Sequence, residues 1–228
     1  MSSQTGILQS AMAATAKAAL RKPGRRRSYH HGDLRRALLD ASLAIIEKRG
    51  VSQLTLREAA RRAGVSHAAP KHHFGDLRGL HRAIAEEGYR KLRDHMARAC
   101  EAEPGVGPLR AFKLIGMAYV DFAARNPGHF RAMFHPEVAD RSAQPSLQEA
   151  AQSAYALLLD AVRGAQEAGE IRDHDTRDLA LGAWALVHGL AALAVDRQLA
   201  NKGFSTTDPV ALSDELTDQL YRGMRPDG

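Results

Sequence analysis

From Asp33 almost to the C-terminus, apolar side chains recur every three or four positions, and no stretch alternates apolar and polar residues as a half-buried strand does. A period of 3.6 sustained that long admits an all-α fold and little else. About nine helices follow. The first spans roughly Asp33 to Lys48, with Leu34, Leu38, Ala41 and Ile45 on one face, before Gly50 stops it. Thr55 and Glu58 read as a capping box for a short second helix carrying Leu56, Ala59, Ala60 and Ala63 and ending at Gly64. Ser66 is expected to cap a third short helix that ends at Gly75. Asp76 then opens a long fourth helix through Leu80, Ile84, Leu92 and Met96 to about Cys100.

A fifth helix is expected from about Leu109 to Arg125, broken by Asn126-Pro127-Gly128. A short apolar helix with Phe130, Met133 and Phe134 precedes Pro136. Ser146 and Glu149 form a second capping box, for a helix ending near Gly169. Asp175 or Thr176 opens a long uncharged helix over about 177–200. Asp208 and Pro209 start the last, which carries Leu212, Leu216 and Leu220. Three parts emerge: a basic arm (1–28), an N-terminal helical unit with its connecting fourth helix (29–100), and a C-terminal helical domain (101–228).

Charge is divided unevenly. Residues 1–100 carry 20 Lys and Arg against 8 Asp and Glu, whereas residues 101–228 carry 12 against 18. The first 32 residues hold six positive charges and no acid. A basic end on a mildly acidic body suggests a polyanion-binding module joined to a part with another task. The opening segment has a transit-peptide-like composition but lacks the continuous apolar core of a signal peptide. Leu179–Val195, 17 residues without formal charge, sits at the short limit for crossing a bilayer. A buried helix at a subunit contact explains it better, so a cytoplasmic protein without a membrane partner is expected. The one cysteine, Cys100, can form neither an internal disulfide nor a Cys-based zinc site.

Residues 55–75, TLREAARRAGVSHAAPKHHFG, place two short helices on either side of Gly64-Val65-Ser66, the layout of a helix-turn-helix. Ala60 leaves room for one helix to cross the other, Gly64 tolerates the positive φ of the turn, and Val65 fills the gap beneath. The second of the two would enter a major groove. Over residues 33–89 the chain resembles the N-terminal domain of the TetR family of bacterial transcriptional repressors. The three-helix spacing, the TLREAARRAGVS core and the H-F-x-D-x-x-x-L entry to the fourth helix carry the likeness. Trp184, His188 and Gly189, in LGAWALVHGLAAL, resemble the W-x-x-x-H-G signature of one TetR-type regulatory domain.

The resemblance implies a homodimeric regulator without cofactor, a repressor released from a palindromic double-stranded operator by a small molecule. Thr55 would hold a phosphate through its hydroxyl and backbone N–H. Ser66, His67 and Ala68 would open the recognition helix. Lys71, His72 and His73 occupy the stretch where the family often has Tyr-x-Tyr or Tyr-x-His. Pro70 is tolerated in the first turn at the cost of one backbone hydrogen bond. Leu77 falls where many members carry a phosphate-binding Lys, and Arg78 is the substitute. Arg25, Arg26 and Arg27 are either a solvated tail or an arm that tracks the minor groove. His72 and His73 are adjacent and point apart, so no metal site is expected of them.

The same resemblance puts Tyr119, Phe122, Phe130, Met133, Phe134, Trp184 and His188 in segments that line an effector pocket. Each could equally be core, and His188 a buried, hydrogen-bonded histidine. The scarcity of charge among them favours an apolar or aromatic effector, with His188 as polar handle. Leu212, Leu216 and Leu220, with Val195, supply the expected dimer surface. Two other classes stay open. One is a non-specific architectural DNA binder led by the basic tail. The other is an enzyme using His188 with an acidic partner, although the sequence offers no Ser/His/Asp constellation, phosphate loop or metal cluster.

Overall fold

The helical period becomes nine α-helices and no strand among the described residues of the structure, a computed structural model describing residues 31–138, 144–204 and 208–226. They are α1 (His31–Arg49), α2 (Leu56–Ala63), α3 (Ala69–Phe74), α4 (Leu77–Glu101) and α5 (Pro108–Arg125). After these come α6 (Pro127–Met133), α7 (Pro145–Glu167), α8 (Thr176–Val195) and α9 (Pro209–Met224). Arg25, Arg26 and Arg27 lie outside the described residues.

Side-chain caps set several of these starts. Thr55 Oγ1 accepts from the Glu58 N–H at 3.1 Å, and Asp76 from the Gly79 N–H at 2.7 Å. Asp175 and Asp208 cap α8 and α9 in the same way, each bond worth about 1 kcal/mol. The other expected details need correction. Glu58 gives its carboxylate to Arg61 at 2.7 Å, so the box at Thr55 is half made. Ser66 does not cap α3, because the Ala69 N–H bonds back to the Ser66 carbonyl at 3.1 Å and spends residues 66–68 on a turn. Pro70 is then the second residue of α3, where the helix leaves an N–H free in any case, and no bond is lost. Pro145 starts α7 two residues early, so Ser146 lies inside the first turn and donates its hydroxyl to Glu86 on α4 at 2.9 Å. Finally, α8 stops at Val195 rather than near 200, and Arg197 follows with a φ of 56°.

Two apolar cores result, and α4 belongs to both. Its Leu80 and Ile84 pack with Leu38, Leu39, Ile46 and Leu54 of the N-terminal unit. One turn later Tyr89, Leu92 and Met96 pack with α5 and α7 in the C-terminal core. The short α6 is shared too: Ala132 is buried in the first core, Phe130 and Met133 in the second. It is held on both sides. A Cβ at Gly128 would stand 2.9 Å from Glu47 Cγ of α1, and one at Gly88 of α4 would stand 2.6 Å from Met133 Sδ. Glu87 of α4 adds a polar junction, accepting from Arg36 of α1 at 2.8 Å and pairing with His129 of α6 at 3.1 Å. The His129 ring first, then Lys91 and Arg36, hold the Glu87 carboxyl well below the usual carboxylate range against the opposing effect of burial.

Helix α8 is long and apolar enough to cross a membrane by length and composition, but it packs Leu179, Ala183, Val187 and Leu190 into the C-terminal core. Its other face is exposed: Leu181 is 53% and Leu193 43% accessible, with Ala185 and Gly189 between them at four-residue steps.

Candidate DNA-binding surface and ligand cavity

The sequence places α3 on the outside of the N-terminal unit by a chain of small devices. Gly64 adopts φ 68°, turning the chain out of α2. Ala69 and Pro70 bury the first turn of α3, and the Arg35 guanidinium of α1 lies 5.6 Å from the Phe74 ring at its far end. Gly79 lets α4 cross at once, since a Cβ there would stand 1.9 Å from the Phe74 carbonyl oxygen. The result leaves Thr55, Ser66, His67, Ala68, Lys71, His72 and Arg78 exposed. His73 is half-buried, its ring 6.3 Å from that of Phe74. Arg57 and Arg62 are also exposed on α2 and add cations that the family pattern did not single out. The basic run in LREAARRA was their signal. Arg61 is less available, because it is paired with Glu58 at 2.7 Å.

The C-terminal core encloses a cavity of about 310 Å³. Leu92 and Met96 of α4, Phe112 and Ile115 of α5, Leu158 of α7 and Val187 of α8 give it an apolar wall, and no charged residue among those described lines it. Tyr119, Phe134 and Trp184 line it as well. Gln152 and Leu181, both exposed, mark its mouth. The other candidates fall behind the wall. Phe122 is 2% exposed and lies 6.3 Å from the His95 ring, ring centre to ring centre. Met133 fills the gap left by Gly88, and Phe130 packs between Tyr119 and His188, ring centres 6.2 and 5.4 Å away.

His188 lies behind the cavity wall and reaches it through a relay and through its ring contact with Phe134, 4.4 Å centre to centre. Its Nδ1 is 2.9 Å from the Tyr119 hydroxyl, which in turn accepts from Trp184 Nε1 at 3.4 Å. Burial lowers the His188 pKa, so at neutral pH the ring is uncharged and accepts at Nδ1 while Tyr119 donates. Burial also pushes the Tyr119 phenol far up, which keeps that proton in place. The expected dimer residues also pack within the protomer. Val195 is 9% exposed inside the protomer's own core, because α8 ends with that face turned inward. Leu212, Leu216 and Leu220 are half-buried against the same core, and Leu220 lines the cavity. The group within hydrogen-bond reach of His188 Nδ1 is the Tyr119 phenol.

Because the folded-state pKa of His188 lies below the unfolded value near 6.5, the unfolded chain binds protons more readily. The stability contributed by the neutral ring is intact above that value and is lost as pH falls through the folded pKa. The melting temperature should hold between pH 7 and 8 and fall below about pH 6. His188→Asn should flatten that fall; parallel curves for the two proteins would assign it to other groups.

With this geometry in view, the likenesses are specific. Residues 38–84 match the family described as bacterial regulatory proteins, tetR family, and residues 112–220 match the tetracyclin repressor-like C-terminal domain. The chain belongs to the TetR family. A solved structure from Rhodococcus sp. RHA1, described as a protein with unknown function, is 35% identical with a TM-score of 0.73, covering 87% of this chain and 98% of that one. The HTH-type transcriptional regulator TtgR of Pseudomonas putida is 28% identical over 73% of this chain and 82% of its own. The HTH-type transcriptional regulator BetI of Cronobacter sakazakii is 43% identical over 63 residues, 28% of this chain. The chain matches about a third of that regulator's length, 31%. In this TetR-family chain the N-terminal match ends at Ile84, the residue at which α4 leaves the first core for the second.

Proposed function

We propose that the protein is a cytoplasmic transcriptional repressor that binds a palindromic operator as a homodimer and leaves it when a largely apolar small molecule fills the cavity. One observation carries the reading. Phe134, which lines the cavity, directly follows α6, and α6 is wedged against α1 of the helix-turn-helix unit. A ligand that displaces Phe134 therefore pushes on α6, and through Gly128, Ala132 and His129 on α1 and α4. Release requires only that the ligand bind the displaced arrangement more tightly than the operator-bound one.

The dimer is assigned to the outward face of α8, where Leu181, Ala185, Gly189 and Leu193 form an apolar stripe. A second copy packed there would cover the exposed leucines and the mouth of the cavity near Leu181. Thr55, Lys71, Arg57 and Arg62 would meet phosphates and base edges.

The test is selection of genomic fragments by purified protein. A palindrome with half-site centres about 34–36 Å apart is expected, and uniform retention of all fragments would favour the architectural alternative instead. Lys71→Ala should then act in one of two ways. If Lys71 holds a phosphate, affinity falls for all sequences alike and the salt slope drops by about one per subunit. If it reads a guanine, the cost is roughly 1–3 kcal/mol and is confined to one operator position. Thr55→Ala should weaken binding uniformly. Unchanged affinity in both variants would remove the helix-turn-helix from the interface.

A further inference from the structure

The polar groups on the cavity wall are nearly all committed within the protein. The Tyr89 hydroxyl donates to the Met133 carbonyl at 3.1 Å, and Tyr119 and Trp184 are tied into the His188 relay. Gln152 reaches solvent at the mouth and Tyr155 is half-buried. Thr217 of α9 differs. It is 3% exposed, it lines the cavity, and its Oγ1 is buried with no hydrogen-bond partner among the described residues.

A buried helical hydroxyl can bond back to the carbonyl four residues earlier, but neither Thr217 nor Ser213 one turn before it does so, and of the two only Thr217 lines the cavity. Ser42, equally buried, does so to Leu38 at 2.7 Å. The space in front of Thr217 is also kept open. Gly116 faces it from α5, one turn before Tyr119, and a Cβ at Gly116 would come within 3.6 Å of Thr217 Oγ1 and 3.4 Å of Val187 Cγ1. A buried hydroxyl left without a partner opposes folding, so a fold that keeps one in an apolar chamber, with a glycine clearing its approach, has a use for it.

We propose that Thr217, rather than His188, is the polar handle of the effector site, and that it selects a neutral, largely hydrocarbon or aromatic molecule bearing one hydroxyl or carbonyl group. The hydroxyl can donate to a carbonyl or accept from an alcohol or phenol. A carboxylate or phosphate is disfavoured, because no cation among the described residues lines the cavity to offset its desolvation. Thr217 has this role only if the cavity is an effector site, so the assignment rests on that reading.

The experiment is calorimetric titration of the full chain with 2-naphthol and with naphthalene, which differ by one hydroxyl, alongside thermal melts. Wild type should prefer 2-naphthol by about tenfold, the worth of one net hydrogen bond. Thr217→Val keeps the shape and removes the hydroxyl, so the preference should vanish while the melting temperature stays level or rises. Gly116→Ala, which sets a methyl against Oγ1, should weaken 2-naphthol binding without lowering the melting temperature. A preference that survives Thr217→Val overturns the assignment and leaves the cavity standing as a site. A lowered melting temperature in Thr217→Val also overturns it, since the hydroxyl would then be anchoring the fold. If neither compound binds wild type, the effector reading itself falls, and this assignment with it.

Discussion

Gly79→Ala is expected to lower operator affinity at least thirtyfold. The methyl group would stand 1.9 Å from the Phe74 carbonyl oxygen, a backbone atom that also accepts from the Asp76 N–H at 2.9 Å. Neither partner is a flexible side chain, so α3 and α4 must separate where they join. Overpacking of this kind costs roughly 1–3 kcal/mol of stability, a melting-temperature drop of several degrees. The functional effect is larger, because each recognition helix is re-aimed and both half-sites are affected together. Forfeiting one base-edge interaction of about 1–3 kcal/mol in each half-site gives the stated factor. Operator titration and a melt would check it. A folded variant with wild-type affinity would mean that α3 does not need this junction to read DNA.

Gly189→Arg is expected to yield a folded monomer. Nothing lies within 4 Å of a Cβ at Gly189, and the residue is exposed in the middle of α8. The isolated protomer therefore accommodates the side chain, with a gain in helix propensity. A second copy does not. Two guanidinium groups would be pressed into an apolar contact, which costs several kcal/mol unless the copies part. Sedimentation should show loss of the dimer, and operator affinity should fall by two orders of magnitude or more as the two half-sites uncouple. A variant that still sediments as a dimer would place the interface on another face.

Periodicity suffices to read the all-α fold, because 3.6-residue spacing and Asp or Thr caps are local properties. Gly64 and Asp76 act as their sequence neighbours suggest for the same reason. What the sequence hides is tertiary. Ser66 reads as a cap until its carbonyl is seen closing a turn to Ala69. Phe122, Phe130 and Trp184 look alike as letters, yet only Trp184 of the three lines the cavity, since the rotation of a helix about its axis decides which aromatic faces inward. Thr217 gave no signal in a helix marked by Leu212, Leu216 and Leu220. The leucines suggested the important face, but the buried one carries Ser213 and Thr217. Likewise the apolar run of α8 does not say which of its faces the protomer buries.

The sharing of α6 between the cores bears on how such proteins can be recombined. Grafting a foreign sensing body onto this DNA-reading head looks simplest near residue 100, in the last turn of α4. Ala132, however, is 1% exposed within the head's own core, and Gly128 rests on Glu47 of α1. A chimera cut at residue 100 would open a hole in the head and leave it leaning on whatever stands where α6 was. The exchangeable unit is the head together with residues 127–133, although a whole helix separates the two in sequence. Exchange of sensing bodies is therefore restricted to donors that bring a matching α6, and the wedge travels with the head as part of its inheritance.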